Sequence, residues 1–468
     1  MSSPSGSETV DAGLASTAGS ASDRAGRPRV VVAGGGFAGL AAARALRFSD
    51  ADVVVIDRRN HHIFQPLLYQ VATGVLAPSD VSAPLRQLAQ KQSNVSVVLA
   101  EVIAVDRSAR CVEVVLPGRL DRVRIGYDFL VLALGVSPSY FGHDEFRTHA
   151  PCLKNLADAD LVRSRILSAY ELAEQADDPA ERSRALTFVL VGAGPTGVEL
   201  AASIAHMARV TLRSNFRRVD PAQTRVVLLE GAPRILGSFS EPLAADAHAR
   251  LQKLGVEVRT RTLVTAVDED GVSVQGMRIE SKTVLWTAGV QSPALTRTLG
   301  AATDKAGRLC VDATLALPAD DAVYAVGDVA SVNDRGRPVP GVAQAAIQQG
   351  RHAGRSIAAR IESMPPPPPF RYADRGTMAV VGKNFALLQR GRFGMSGFAA
   401  WWLWALIHVA YLPQLQNRLR VQVQWLWSYF SGQRGARLIA ESSPPQTPTQ
   451  HNDTPASLRP VVAKRSVV

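Results

Sequence analysis

Short apolar runs recur along the middle of this chain, and a change of hydrophobic period follows each. Val30-Val31-Val32-Ala33 is unbroken apolar sequence and predicts a buried strand, and from Leu40 to Arg47 the spacing becomes helical. Val53-Val54-Val55-Ile56 predicts a second buried strand. The same order returns later, with a strand at Phe188-Val189-Leu190-Val191, a helix over Val198 to Met207, and a strand at Val226-Val227-Leu228-Leu229.

Glycines join each first strand to its helix. The first loop is Gly34-Gly35-Gly36-Phe37-Ala38-Gly39 and the second is Gly192-Ala193-Gly194-Pro195-Thr196-Gly197. One such string is weak, because glycine-rich turns arise by chance, but two in the same strand-to-helix context are strong. Bare glycines let the backbone approach a pyrophosphate, whose charge is attracted by free N–H groups and the positive end of the helix dipole. Each following strand ends in an acid, Asp57 or Glu230, placed to accept hydrogen bonds from ribose hydroxyls. Glu230 binds a 2′-hydroxyl and repels a 2′-phosphate, so the second unit is expected to take NAD(H) rather than NADP(H), an assignment that nearby Arg234 weakens. The expected fold is α/β, with two Rossmann-like dinucleotide-binding units.

Later strands complete each unit. Phe129 to Gly135 and Val284 to Gly289 are apolar runs closed by glycine, which places Gly135 and Gly289 with the cofactor sites. Residues 99–128 and 256–284 read as β-rich excursions of short alternating strands with glycine turns. Ala322-Val323-Tyr324-Ala325-Val326-Gly327-Asp328 is a further apolar strand ending in an acid, and by position it returns to the first unit. The second unit, residues 151–300, is then inserted within the first, residues 28–150 and 301–370. The Pro365 to Pro369 run is a semi-rigid spacer before a C-terminal segment at 371–440. Residues 1–27 and 441–468 carry no apolar period and are expected to be disordered tails.

The C-terminal segment has a different character. Phe398 to Ile407 is unbroken apolar and continues past His408 to Leu412, where Pro413 stops it short of the ~20 residues a membrane span requires. Beyond it Leu415, Leu419, Leu426, Tyr429 and Phe430 recur at helical spacing opposite Gln414, Asn417, Arg418 and Gln424, which predicts an amphipathic helix. The chain carries a net charge of +11, and residues 371–440 supply +8 of it through nine Lys or Arg against one Asp. Trp401, Trp402, Trp404, Trp425 and Trp427, five of the six tryptophans, lie there too. Tryptophan favours the headgroup region and arginine attracts anionic lipid, so an anionic membrane surface is the expected partner, with the helices lying in its plane. Aromatic-rich helices also pair with one another, and a homodimer interface is a second, compatible reading. Basic residues interleaved with a greasy aromatic face do not suit nucleic acid, which is not expected as a partner.

With 468 residues, of which 46% are hydrophobic, the chain can bury a sizeable core. No basic stretch followed by an apolar run opens the sequence, so a secretory leader is not expected. Cys111, Cys152 and Cys310 are dispersed and form no CxxC pair, which fits a reducing compartment; each reads as a small buried hydrophobe. A peripheral protein on the cytoplasmic face of the cell membrane is expected, with no metal site.

These motifs resemble the two-dinucleotide flavoproteins of the glutathione reductase class. More closely, residues 28–440 are similar to the type II NADH dehydrogenases, single-chain NADH:quinone oxidoreductases of respiratory membranes. The resemblance implies FAD on Gly34, Gly36, Phe37, Ala38, Gly39 and Asp57, with its ribityl chain at Gly327 and Asp328, and NADH on Gly192, Gly194, Pro195, Thr196, Gly197 and Glu230. Asp57 departs from the Glu common in this class. Three stretches belong to the subgroup: Phe64-Gln65-Pro66-Leu67-Leu68-Tyr69-Gln70-Val71-Ala72-Thr73-Gly74, Ala343-Gln344-Ala345-Ala346-Ile347-Gln348-Gln349-Gly350, and the aromatic C-terminal segment. Gln344 and Gln348 fall at i, i+4 on one helical face, and the resemblance implies that their amides hold a quinone carbonyl; on sequence alone such glutamines more often face solvent. Glu199 is similar to the family glutamate near the nicotinamide and Lys383 to the lysine that reaches it, implying a relay of charge or protons. The plain alternative for Glu199 is a carboxylate stabilised at a helix N-terminus.

Disulfide reductases of this fold need two redox cysteines soon after the first unit begins, and Asn60 to Val81 contains none. Sulfide:quinone oxidoreductases also need cysteines beside the flavin, and the three present are not placed for that. The expected activity is hydride transfer from NADH to FAD and passage of two electrons to a membrane quinone, ubiquinone or menaquinone, without proton pumping because no segment spans a bilayer. Two alternatives stay open. One is a reductase of a soluble acceptor or a specialised naphthoquinone; the other is a signalling flavoprotein resembling apoptosis-inducing factor, in which NADH controls association with a partner.

Overall fold

A computed structural model of the protein describes residues 26–439. The tails expected at 1–27 and 441–468 lie outside the described residues, apart from Gly26 and Arg27.

Arg29–Ala33 is a central strand with Asp52–Asp57 on one side and Phe129–Leu132 on the other, both parallel to it, so that Val31 faces Val54 and Leu130. Val95–Leu99 and Asp320–Ala325 extend this sheet, and Ala316–Leu317 closes one edge antiparallel. Val30, Val31 and Val32 are wholly inaccessible to solvent. Both faces of the sheet are covered, which is why the strands are written as continuous rather than alternating apolar runs. A second parallel sheet is ordered Val256–Arg259, Arg225–Leu229, Thr187–Val191, Thr283–Trp286.

The sequence assigns residues 256–259 to a β-rich excursion, but they form the edge of the second parallel sheet. Only Val256 of that strand is buried, and an edge strand with partly open faces alternates much as an antiparallel strand does. The excursions proper are three-stranded antiparallel sheets, Glu101–Asp106, Cys111–Val115 and Arg122–Gly126 in one, Val264–Asp268, Gly271–Val274 and Met277–Glu280 in the other. Between the two parallel sheets the chain crosses at Ser137–Pro138 and again at Val290–Gln291, and these two segments pair antiparallel. Trp286 braces the crossing by donating its indole N–H to the Ser139 carbonyl at 2.9 Å.

Helix Ala343–Ile361 lies against helix Phe37–Ala45 at backbone contact. A Cβ on Gly350 would strike the Ala38 carbonyl oxygen, and one on Gly354 would come within 2.6 Å of the Ala42 carbonyl oxygen. Gln349, 3% exposed, accepts the Gly327 N–H at 2.6 Å. This single helix therefore ties the turn bearing Asp328 to the helix of the first glycine loop.

The C-terminal segment opens with the antiparallel strands Thr377–Val380, Ala386–Arg390 and Phe393–Gly397, followed by helices Phe398–Tyr411 and Leu415–Ser431. No described helix is long and apolar enough to cross a membrane. Ala400, Trp404, Val409, Leu412 and Val421 pack inward, whereas Leu406, Leu415, Leu419, Val423, Leu426 and Phe430 are exposed, Phe430 by 79%. Asn417 takes the inward place instead, and its amide donates to the carbonyls of Ser79, Asp80 and Ser82 at 2.8, 2.9 and 3.1 Å. In an ordinary globular helix the apolar stripe faces the core. Here it faces out, and one triply bonded asparagine anchors the helix to the first unit.

Gly350→Ala pushes a methyl group into the Ala38 carbonyl, an overpacking that costs about 1–3 kcal/mol. Its Tm in a thermal melt is expected to fall by a few degrees; an unchanged Tm would show that the two helices separate freely.

Candidate active site

Each glycine loop follows the carboxyl end of an inner strand of its sheet, where open α/β sheets bind ligands. Gly34 (φ +113°) and Gly192 (φ +101°) hold backbone conformations that other residues rarely adopt. Gly39 and Gly197 cross their own loops so closely that a Cβ would strike the carbonyls of Gly34 and Gly192. The middle glycines differ, for a Cβ on Gly36 or Gly194 would meet nothing within 4 Å. These two are the N-caps of helices Phe37–Ala45 and Pro195–His206, and neither helix has a capping side chain. Free first-turn N–H groups beside a bare glycine form a cradle that fits a pyrophosphate.

Behind each cradle stands its acid. Asp57 accepts the N–H of Gly35 at 2.7 Å and Glu230 that of Ala193 at 2.7 Å, the second residue of each loop. Their other oxygens accept the N–H groups of Arg59 and Ala232. The shorter Asp57 thus reaches its loop as well as Glu230 does. Arg234 donates to the carbonyls of Phe239 at 2.6 Å and Gly237 at 3.0 Å, so its guanidinium is engaged with that turn and does not pair with Glu230.

Gly135 (φ +66°) has open space where a Cβ would be, whereas a Cβ on Gly289 (φ +71°) would come within 2.5 Å of the Phe141 ring, and the Gly289 carbonyl accepts the Ser139 N–H at the crossing between the sheets. Asp328 follows Gly327 in a short turn; burial raises its carboxyl above the ordinary range, against the pull of Lys154 and Arg308.

Helix Pro195–His206 carries Glu199, Ser203 and His206 on one face, at i, i+4 and i+7. The C-terminal segment covers that face. The Val380 N–H donates to Glu199 at 3.2 Å. Arg434, 5% exposed, donates to the carbonyls of Thr73 at 2.9 Å and Ser203 at 3.0 Å, and to Nδ1 of His206 at 3.2 Å. A guanidinium only donates, so His206 accepts through Nδ1 and carries its proton on Nε2. Burial, then Arg434 and Lys383, push His206 down to about 4. Glu199 keeps a partly accessible surface yet is enclosed by protein, and that desolvation pushes its carboxyl up to about 8, the Val380 bond offsetting only part. Lys383 does not join it. Its ammonium donates to the Tyr429 carbonyl at 2.7 Å and sits 3.9 Å from the centre of the same ring. The Glu199–Lys383 pair implied by the resemblance is therefore not a contact here, because the second C-terminal helix takes up the ammonium.

Gln344 and Gln348 share a face as their spacing requires, but both amides are in use. Gln344 donates to the Gly376 carbonyl at 2.7 Å and accepts the Arg375 N–H at 3.0 Å. Gln348 donates to the Ala373 carbonyl at 3.0 Å and accepts its N–H at 2.9 Å. The extended chain after the proline run offers paired donors and acceptors that a primary amide matches. The two glutamines thus strap that chain to helix Ala343–Ile361, each with its carbonyl oxygen and one of its two amide N–H groups.

Tyr69, Gln70, Trp425 and Arg434 also belong to the site, and the sequence marked none of them singly. Tyr69 and Gln70 are 6% exposed within the Phe64–Gly74 stretch, and Gln70 accepts the Trp425 indole N–H at 2.7 Å. Arg434, in Gly432-Gln433-Arg434-Gly435, reads as a surface turn and is buried only through the tertiary fold. Among the cysteines, Cys111 is buried and Cys152 and Cys310 are half-buried; Cys152 donates to Asp158 at 3.6 Å, and burial with that carboxylate pushes its thiol up to about 11. It is a thiol, poorly suited to attack.

Two acid-backed glycine cradles, one of whose helices carries a desolvated carboxylate, define an oxidoreductase of the two-dinucleotide class. The sequence profile of the pyridine nucleotide-disulphide oxidoreductases matches residues 28–350. A type II NADH:quinone oxidoreductase of Mycobacterium tuberculosis, Ndh, is 42% identical over 426 residues, covering 89% of this chain and 91% of that one. Another from Staphylococcus haemolyticus is 30% identical, over 76% of this chain and 88% of that protein. Among solved structures, NDH2 of Plasmodium falciparum in complex with NADH superposes with a TM-score of 0.80 at 17% identity, over 89% of this chain and all of that one. The chain belongs to the pyridine nucleotide-disulphide oxidoreductase family and, within it, to the type II NADH:quinone oxidoreductases.

Glu199 titrates near 8 when folded and near ~4.3 when unfolded, so the folded state holds the extra proton between those values, and stability is lost as pH rises through that window. Glu199→Gln escapes this loss. Its Tm relative to the parent is expected to rise between pH 5 and pH 9; a difference independent of pH would mean that the carboxyl is hydrated in solution.

Proposed function

We propose that this protein oxidises NADH and reduces a membrane quinone at a membrane surface, without coupled ion transport. The observation that carries the reading is the covering of the second-loop helix by the same C-terminal segment that presents the exposed apolar face. That arrangement supports a reading in which the segment faces the nucleotide-loop helix on one side and lipid on the other.

Residues 28–150 and 301–370 then form the flavin seat, 151–300 the NADH site, and 371–440 the docking segment. FAD, held by Gly34, Gly36, Phe37, Ala38, Gly39, Asp57, Gly135, Gly327 and Asp328, supplies hydride acceptance and two-electron release. NADH binds at Gly192, Gly194, Pro195, Thr196 and Gly197, with its ribose at Glu230 and Gly289 close by. Hydride transfer delivers two electrons and one proton, whereas a quinone becomes a quinol by taking two electrons and two protons. One proton must therefore come from outside NADH. Glu199, protonated up to about pH 8, is the group that carries it. Gln344 and Gln348 act on the quinone side by holding the 373–376 chain as a wall, and Lys383 by fixing the second C-terminal helix through Tyr429.

The apolar face docks on the cytoplasmic side of the cell membrane, with arginines attracting anionic lipid. A homodimer built on the same face is the second reading, favoured by its exposed aromatic and aliphatic side chains.

Two experiments test this. FAD-loaded protein in detergent is expected to oxidise NADH faster than NADPH with a short-chain quinone as acceptor, and Glu230→Ala to narrow that ratio. Faster NADPH oxidation overturns the role of Glu230, and turnover with soluble dyes alone moves the protein to the soluble-acceptor reading. In a second assay, Leu419→Asp with Phe430→Asp removes two exposed apolar contacts worth about 1.5–3 kcal/mol each, so sedimentation with anionic vesicles should fall more than tenfold. Undiminished vesicle binding, with the mass in solution halved, would assign the face to dimerisation instead.

A further inference from the structure

One large apolar side chain is turned out to solvent beside the second glycine loop. Phe141 is 68% exposed, although its neighbour Tyr140 is buried with its hydroxyl on the Ala150 carbonyl at 2.8 Å. The backbone of Phe141 is left-handed (φ +55°), a conformation that costs a bulky residue and that Gly or Asn would hold more easily. Bonds to the crossing fix that turn. The Phe141 N–H donates to the Ser139 hydroxyl at 3.2 Å, and the Ser139 carbonyl takes the Trp286 indole N–H at 2.9 Å. Part of the ring lies against Gly289, where a Cβ would come within 2.5 Å of it, and the rest is open.

The sheet order decides what passes that ring. Arg225–Leu229, Thr187–Val191 and Thr283–Trp286 are adjacent parallel strands, with Val191 opposite Leu229 on one side and Trp286 on the other. Glu230 and Thr287 therefore flank the cradle that opens at Gly192. Glu230 holds the Ala193 N–H, while the Thr287 hydroxyl lies 2.9 and 2.7 Å from the carbonyls of Val191 and Gly192. The next residue, Ala288, runs so close to the loop that a Cβ on Gly192 would come within 2.7 Å of its backbone. Gly289 and the Phe141 ring follow directly. A dinucleotide carries its two nucleoside halves on opposite sides of one pyrophosphate. With that pyrophosphate on the cradle and the adenosine ribose at Glu230, the other half is directed across Thr187–Val191 to the end of Thr283–Trp286, where Phe141 stands.

We propose that Phe141 is a binding residue for NADH, its open ring receiving the nicotinamide half of the dinucleotide as Glu230 receives the adenosine half. The inference rests on the reading that NADH lies on the second cradle with its ribose at Glu230. A dihydronicotinamide ring is uncharged and largely apolar, and an aromatic side chain on a fixed turn offers it contact area with little conformational entropy to lose. The same role accounts for a phenylalanine standing where the backbone favours glycine or asparagine.

The test compares two ligands that share the adenosine half and the pyrophosphate, NADH and ADP, on full-length, FAD-loaded protein in detergent. NADH affinity is read from the concentration dependence of flavin reduction without quinone, and ADP affinity from calorimetric titration. Phe141→Asn keeps the left-handed turn and removes the ring. Its NADH affinity is expected to fall about tenfold, the loss of one aromatic contact, with ADP affinity unchanged. Phe141→Tyr keeps the ring and should bind NADH as the parent does, whereas Glu230→Ala should weaken both ligands. Given weakened ADP binding in Glu230→Ala, three results overturn this inference alone: unchanged NADH affinity in Phe141→Asn, equal losses for NADH and ADP, or a Phe141→Tyr variant as weak as Phe141→Asn. ADP binding that Glu230→Ala leaves untouched removes the nucleotide's orientation on the cradle, and both readings fall with it.

Discussion

The structure depends on one steric constraint, met twice: a strand must turn into a helix with its own chain crossing at backbone contact. Gly39 lies on the carbonyl of Gly34, and Gly197 on that of Gly192, with no room for a methyl group. Only that closeness brings the helix N-terminus back over the strand end, where its free N–H groups converge on a bare middle glycine. The acids complete the device from behind. Asp57 and Glu230 differ by a methylene, yet each holds the N–H of the second loop residue at 2.7 Å.

From this base the rest of the chain is arranged to cover a single helix. The second loop begins helix Pro195–His206, and its exposed face would carry Glu199, Ser203 and His206 into water if nothing lay on it. The C-terminal segment lies on it. Val380 meets Glu199, and Arg434 meets Ser203 and His206 while also gripping Thr73, so the helix and the Phe64–Gly74 stretch are held together by one guanidinium that has no carboxylate partner among the described residues. A buried cation held only by neutral acceptors is costly. Its retention is intelligible because a guanidinium can donate to three acceptors on two elements at once. The same enclosure desolvates Glu199, and so the packing of the segment and the chemistry of the acid are one effect.

The apolar outward face of Leu415–Ser431 follows from the same covering. The helix is fastened by polar contacts underneath, Asn417 to three carbonyls and Trp425 to Gln70, and its leucines are left outside. Val421 and the Trp425 ring pack beneath it as well, so the helix is held from one side and leaves an apolar surface on the other.

Local regularities were legible in the chain. The two loops, their acids, the buried strands and the two C-terminal helices all rest on period and spacing that neighbouring residues impose on one another, and the structure has each of them. Where a residue's meaning depends on what arrives from far away, the sequence was silent or misleading. Residues 256–259 look like an excursion because an edge strand alternates; Gln344 and Gln348 look free because their partners at 373–376 are joined to them only by folding. Lys383 is spent on Tyr429, and Arg434 looks like a surface turn until Thr73 and Ser203 close around it. The sequence by itself determined where the two glycine cradles and their acids lie, since that is set by backbone shape and one carboxylate at each strand end. The tertiary structure alone decided which polar groups are free to act, because a hydrogen bond already made within the fold is no longer available to a ligand.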